Sequence, residues 1–470
     1  MSHSLRCLLL SLLAATAVRA ADAPPSPADR ATATVAATVP TAAPGTPEYD
    51  NSPAPNAATP TAATPREWVD PDTGHRVIRI SDEPNSQSLY FHYNSYTPEG
   101  DKMIYGAPSG IWAVDLKTLG QGTPKLEWLV DGRTTRANPI MMAYHSRDFY
   151  YSAGGALFAV NVDTKVSRQL LTGAAFGVNS DGTIAGTMLA GEDPTGHVQR
   201  PPPPTILPQR QRMFGDKIAA GIPLTPDEEF AAAKEDGLSQ RLANPNSTGF
   251  LFTNLNTGTQ TWTGFQYASI DHQQFSPTDP HLVLYAHEGS WHEVDRIWTV
   301  RTDGTDQRLM YKRQMDMEIA GHEFWSYDGK TIWFDLQTPR SKEFWIAGVN
   351  VDNGQLTKYH IEKDWWGIHF NVSRDNTLFA SDGGDPTQVA FSQNGEWINL
   401  FRVQPNGTVT REKLVNMSKH NYVTGTTRLG VQGGGIEPNV SITPDKKWVV
   451  FRSNIQGPVQ VYAAEIAPTR

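Results

Sequence analysis

A short unit recurs along this chain, and its repetition restricts the fold more than any other feature. GHEFWSYDGKTIWFDL, from Gly321, reads as a strand that starts at His322, a tight turn over Ser326 to Gly329, and a second strand from Thr331 to Leu336. The pattern returns at HQQFSPTDPHLVLYAHEG from His272, HFNVSRDNTLFASDGG from His369 and NVSITPDKKWVVFRSN from Asn439. Earlier copies are YNSYTPEGDKMIYG from Tyr93, MAYHSRDFYYSA from Met142 and FGVNSDGTIAGT from Phe176. A Ser or Thr opens each turn: Thr97, Ser146, Ser180, Ser276, Ser326, Ser373 and Thr443. That is seven copies, at intervals of 49, 34, 96, 50, 47 and 70 residues, the signature of an array of small sheets.

Further hairpin signals between the copies, among them DLKTLGQG, NVDTK, RTDGTD and QPNGT, raise most units to four strands. Seven four-stranded units predict an all-β, seven-bladed β-propeller, whose ring leaves few free sheet edges. Ring closure needs one more strand, because the chain after Tyr462 is too short to finish the last blade. Val77 to Ile80, after the DTG turn of VDPDTGHRVIRIS, is the strand available to complete it.

The propeller is expected over residues 67–470, with an insertion at 191–248 in the longest interval. In that insertion TPDEEFAAAKEDGLSQRLANP predicts a helix, capped by Thr225 with Pro226 in its first turn and stopped at Asn244-Pro245, forming a lid or a wall. Residues 1–20 carry Arg6, a short apolar run and small residues before a cut after Ala20, the pattern of an export signal. The apolar run is too short to span a bilayer, which takes about 20 apolar residues. A periplasmic or secreted protein is expected, and Cys7, the one cysteine, would leave with the signal. Residues 21–66 are an Ala/Thr/Pro linker without the large apolar side chains that folding needs. The net charge of −9 argues against a nucleic-acid partner.

In a propeller the innermost strand of each blade starts at one mouth of the central channel. The residue four before the turn lies at that mouth, and in the last four copies it is His272, His322, His369 and Asn439. Loops after the second strands open on the same face and bring in HEGSWHEVDR, with His287, His292 and Arg296. Neutral imidazoles serve as metal ligands or as bases, and the oxygens of Glu437 and Asn439 suit manganese or calcium. Convergence alone leaves metal and base both open. The first three copies, with Tyr93 and His92, read as mainly structural. No G-x-S-x-G, phosphate loop, dinucleotide fingerprint, HExxH or EF-hand loop occurs.

Through HQQFSPTDPHLVLYAHEGSWHEVDRIW, AGHEFWSYDGKTIWFDLQTPR, IHFNVSRDNTLFASDGG, NMSKHNY and EPNVSITPDKKWVVFRSN, the chain resembles the oligogalacturonate lyases of polysaccharide lyase family 22. The likeness covers most of residues 68–466 and is dense from 268. It implies a seven-bladed propeller that cleaves short oligogalacturonides by β-elimination in pectin degradation, using a divalent metal, commonly manganese. Calcium is the alternative. Carried over, it makes His272 the base, His322 a metal ligand, and Glu437 and Asn439 further ligands, at positions where some members have two histidines. Gln432 falls near a fourth ligand position, and Arg241 is the candidate for the substrate-gripping arginine. His287, Arg296, His369 and Tyr93 are expected to touch an acidic oligosaccharide. The rivals are a non-catalytic periplasmic scaffold of the TolB type and a lyase for another uronide, such as ulvan or a glycosaminoglycan fragment.

Overall fold

The computed structural model describes residues 65–191, 202, 205, 207–243, 245–422 and 436–468, all within one compact unit, Thr41–Arg470. The export signal, nearly all of the linker and Gln432 lie outside the described residues.

Seven antiparallel sheets follow one another along the chain. Blades 1 to 6 are four-stranded and span Gln87–Asp131, Ala137–Thr172, Gly177–Tyr267, Ser269–Leu309, Ile319–Ile361 and Phe370–Asn416. Blade 7 takes Ser441–Ile442, Trp448–Ser453 and Gln460–Glu465 from the C-terminus, then Arg76–Arg79 and Glu67–Val69 from the start. The expected closure is present, with Val77 opposite Ala464, Ile78 opposite Ala463 and Arg79 opposite Tyr462. Glu67–Val69 adds a fifth strand outside it.

The repeated turn has a common chemical basis. Ser326 Oγ accepts the Thr331 N–H at 2.9 Å and donates to Asp328 at 2.6 Å, so one hydroxyl fixes both ends of the turn. Ser373 and Thr443 repeat the arrangement with Asp375 and Asp445. Gly329, at φ +67°, holds the left-handed corner, and a Cβ there would lie 2.0 Å from Thr278 Oγ1 of the blade before it.

In two blades the turn opens elsewhere than expected. The closing bond, Ser326 N–H to Thr331 O in blade 5, runs from Ala143 to Asp148 in blade 2 and from Asn179 to Ile184 in blade 3. Ala143, not Ser146, is therefore the blade 2 equivalent, and Asn179, not Ser180, that of blade 3. Asn179 Oδ1 does the hydroxyl's work, accepting from Thr183 and Ile184 at 2.8 and 2.9 Å.

Large side chains bridge adjacent blades. Trp333 of blade 5 meets Phe379 of blade 6 edge to face, with ring centroids 4.8 Å apart, and both are buried. Each such side chain contributes about 1.5–3 kcal/mol when withdrawn from water. This packing makes the ring rigid enough to hold side chains in fixed positions at its mouth.

Helices α1 (Gln209–Ala219) and α2 (Pro226–Ala243) form the insertion, on the connection between the second and third strands of blade 3. Thr225 caps α2 reciprocally: its Oγ1 accepts from Glu228 N–H, and Glu228 Oε2 accepts from Thr225 N–H. Across the mouth face, Phe214 of α1 lies against Phe391 of blade 6, with centroids 6.2 Å apart.

Candidate functional site

The inner strands of blades 4 and 5 break register at the positions that the repeat singled out. Pairing slips between Asp271 and Gln274 and between Gly321 and Phe324, and the residues in the gaps include His272 at φ 54° and His322 at φ 50°. Asn439, the blade 7 equivalent, has φ 53°. A left-handed backbone at a non-glycine residue costs roughly 1–3 kcal/mol, and three equivalent blades bear that cost. A bulge turns the side chain out of the strand alternation, here toward the channel.

The three imidazoles meet at one mouth. Ring centroids are 6.2 Å apart for His272 and His322, and 4.7 Å for His322 and His369. Each Nδ1 faces a buried carboxylate: His272 meets Glu323 at 2.8 Å, His322 meets Asp335 at 3.3 Å, and His369 meets Asp382 at 2.7 Å. That leaves Nε2 as the nitrogen each ring can present to the cavity. Such pairing is how proteins fix the tautomer and direction of a functional histidine.

The pairs differ electrostatically. Burial alone would lower the His272 pKa, but the charge and hydrogen bond of Glu323, with Asp271 beside it, raise it above the ordinary value. Burial presses Glu323 upward in turn, and the charges of Arg296 and His272 overcome this and hold it at about 2. The blade 6 pair runs the other way. Burial pushes Asp382 up to about 7 and holds His369 well below its usual range, so His369 is neutral at neutral pH.

Blade 1 supplies more than structure. Tyr90, Phe91 and His92, just ahead of the first copy, enter the same mouth. Tyr90 Oη lies 3.2 Å from His369 Nε2, Phe91 stacks on His369 with centroids 4.5 Å apart, and His92 is 5.5 Å from His272. Burial puts the His92 pKa well below its usual value, and neither ring nitrogen has a hydrogen-bond partner among the described residues. Blade 1, expected to be mainly structural, therefore also lines this mouth. No turn-based offset points to residues 90–92. A signal for two of the carboxylates was present, because Asp335 and Asp382 each follow their histidine by 13 residues.

Other candidates fall in different surroundings. Glu437 belongs to the site, its Oε2 3.6 Å from His369 Nε2. Asn439 has its amide on the backbone: Oδ1 accepts from Phe91 N–H at 3.2 Å, and Nδ2 donates to Glu437 O at 3.1 Å. Tyr93 is ring-stacked edge-on to His92, and burial raises its pKa. Arg296 is 1% exposed and faces carboxylates, Glu288 at 2.8 Å and Glu323 at 3.6 Å, so it backs the pair behind His272. His287 stacks on Trp298 and bonds Gln266 at 2.7 Å. Arg241, on α2, reaches Glu288 at 3.6 Å.

HEGSWHEVDR is chiefly a dock for the insertion. A Cβ at Gly289 would lie 2.5 Å from Leu242 of α2, so only glycine allows this approach. Ser290 donates to Glu235 at 2.8 Å, Glu235 pairs with Arg340 at 2.9 Å, and His292 Nε2 meets Gln209 Oε1 at 2.8 Å, all buried. Trp291 turns the other way, onto His322, with centroids 4.9 Å apart. The insertion is thus a packed wall over blades 4 and 5.

Burial, with Arg340 beside it, drops the His292 pKa to about 3. Its value in the unfolded chain is about 6.5. The unfolded state therefore takes up the proton first as pH falls, and the stability that neutral His292 supplies is lost progressively below about pH 6.5, by at most about 1.4 kcal/mol per pH unit. Thermal melting between neutrality and about pH 4 should show this loss, with a smaller slope in His292→Gln.

Imidazole nitrogens with a carboxylate oxygen are a donor set that divalent manganese accepts. His322, His369 and Glu437 fit it in chemistry, and the carboxylates behind the two rings are the outer partners such ligands use. Among the described residues no three His, Cys, Asp or Glu side chains converge closely enough to form a complete ion site.

The family model for oligogalacturonate lyase matches residues 242–469, the stretch that holds all three histidines and Glu437. An oligogalacturonate lyase of Dickeya dadantii (strain 3937) is 24% identical over 426 residues, covering 85% of this chain and 95% of that protein. An oligogalacturonide lyase of Pectobacterium atrosepticum is 23% identical over 412 residues, with the same coverage. Among solved structures, oligogalacturonate lyase from Vibrio parahaemolyticus shares the fold at 20% identity and TM-score 0.63, covering 85% of this chain and 96% of that one. An oligogalacturonate lyase in complex with manganese does so at 20% identity and TM-score 0.62, with the same coverage.

Proposed function

We propose that this oligogalacturonate lyase-like enzyme cleaves short oligogalacturonides by metal-dependent β-elimination, leaving a 4,5-unsaturated uronate, and that it does so in the periplasm or outside the cell. The carrying observation is the trio of carboxylate-backed histidines at one propeller mouth, inside the segment that the family model matches.

The proton at C5 of a uronide is weakly acidic, because the neighbouring carboxylate is already anionic. His272 takes this proton on Nε2, since its Nδ1 is engaged with Glu323. Glu323, held ionised by Arg296, then stabilises the imidazolium. The C4–O bond breaks as the C4–C5 double bond forms, and the departing oxygen takes a proton from water or from a donor at the mouth. His322, His369 and Glu437 would hold a divalent cation, manganese or alternatively calcium, which supplies a positive charge to the substrate carboxylate and so acidifies C5. His369 replaces Asn439 in this set because the asparagine amide is committed to backbone.

The test is the near-ultraviolet absorbance of the conjugated product on a panel of uronides, with and without chelator. Turnover is expected on oligogalacturonides, abolished by chelator and restored by manganese. No product from any uronide would overturn the lyase reading, and a chelator-insensitive rate would overturn the metal.

A further inference from the structure

Beside the histidines, between blades 1, 2 and 7, lies a cavity of about 330 Å³ lined by Tyr90, Tyr93, Arg136, Asn138 and Arg452 among others. Its volume falls at the small end of the range for small-molecule sites, roughly 300–1,000 Å³. Two contacts tie it to the reaction centre. Tyr90 Oη is 3.2 Å from His369 Nε2, and Arg452 Nε donates to Glu437 O at 2.9 Å.

The lining is selective in charge. Two arginines line the cavity and no Asp or Glu does, although the protein carries a net charge of −9. The larger hollow beside the insertion, about 660 Å³, differs: Arg212, Arg241 and Arg313 share its walls with Glu288, Glu293 and Asp316. Unlike that hollow, the first cavity combines an acid-free cationic lining with aromatic residues and a direct link to the histidines. Aromatic faces suit the C–H face of a pyranose, and a guanidinium suits a carboxylate, which it can bind through two parallel hydrogen bonds.

We infer that this cavity is the subsite for the uronate next to the one that reacts, with the sugar ring at Tyr90 and Tyr93 and its carboxylate at Arg136. The inference rests on the proposed lyase activity and adds to it a basis for acting on oligomers. Arg136 is exposed, so replacing it leaves the core intact.

Arg136→Gln should raise KM for trigalacturonate about tenfold, the scale of one lost charged hydrogen bond, with kcat within about twofold of the parent. Arg136→Lys should recover part of the loss. Unchanged KM, or a fall in kcat alone, would overturn the subsite. Calorimetric binding of trigalacturonate to metal-free protein separates this inference from the lyase reading, because it needs no turnover. If the parent proves inactive yet binds trigalacturonate and Arg136→Gln binds it more weakly, the subsite stands while the lyase reading fails. Equal affinity in the two proteins would overturn the subsite whatever the activity.

Discussion

His272→Ala should lower oligogalacturonide turnover by roughly 10²- to 10⁴-fold, the scale of one positioned proton-transfer group, and added manganese should not restore it. The expectation follows from the division of labour at the mouth. His272 pairs with Glu323, which is ionised and backed by Arg296, so this ring is arranged to acquire positive charge. His369 faces Asp382, which burial pushes toward its protonated form, so that ring is arranged to stay neutral, as a metal ligand must. His322 also has a carboxylate behind it, and His322→Ala should weaken metal binding, with excess manganese recovering part of the activity by mass action. Manganese titration followed by calorimetry, alongside turnover and melting of both variants, checks the assignment. Loss of metal from His272→Ala with retention in His322→Ala would reverse the roles. Full activity in both would remove the histidines from the chemistry.

The fold was legible because its repeating unit is local. A hydroxyl, an aspartate two residues on and a glycine make the same turn wherever they occur, as at Ser326, Asp328 and Gly329. The register failed where that chemistry changed hands. Ala143 has no hydroxyl and Asn179 uses an amide, so a search for Ser or Thr slides to Ser146 and Ser180. The histidine column was legible for the same reason, since a fixed offset from a fixed turn becomes a fixed place in the ring. Tyr90 and His92 enter from a loop ahead of the repeat, where no offset applies. His292 and Arg296 show a different limit. Both sit in a polar loop that reads as substrate-facing, but whether such a loop faces solvent depends on what packs over it. Here the insertion covers His292 through Gln209, and Glu288 and Glu323 enclose Arg296.

Arg296→Met is the substitution that separates enclosure from substrate contact. The guanidinium is buried with Glu288 at 2.8 Å and Glu323 at 3.6 Å, and it lies over the Trp291 ring, 5.3 Å from the centroid. Removing one member of a buried charge group leaves the others uncompensated, which costs about 3–5 kcal/mol. The folded state should lose that much in denaturant unfolding. Glu323 feels the change most, because burial already presses it toward protonation and the Arg296 charge is the strongest influence opposing this. A protonated Glu323 no longer raises the His272 pKa, so turnover falls along with stability. Arg296→Met combined with Glu323→Gln should therefore unfold later than the single variant, since the second change removes the carboxylate that the first exposed. A gripping arginine would behave otherwise, with KM raised, melting unchanged and no recovery in the double variant. That outcome would return Arg296 to the substrate.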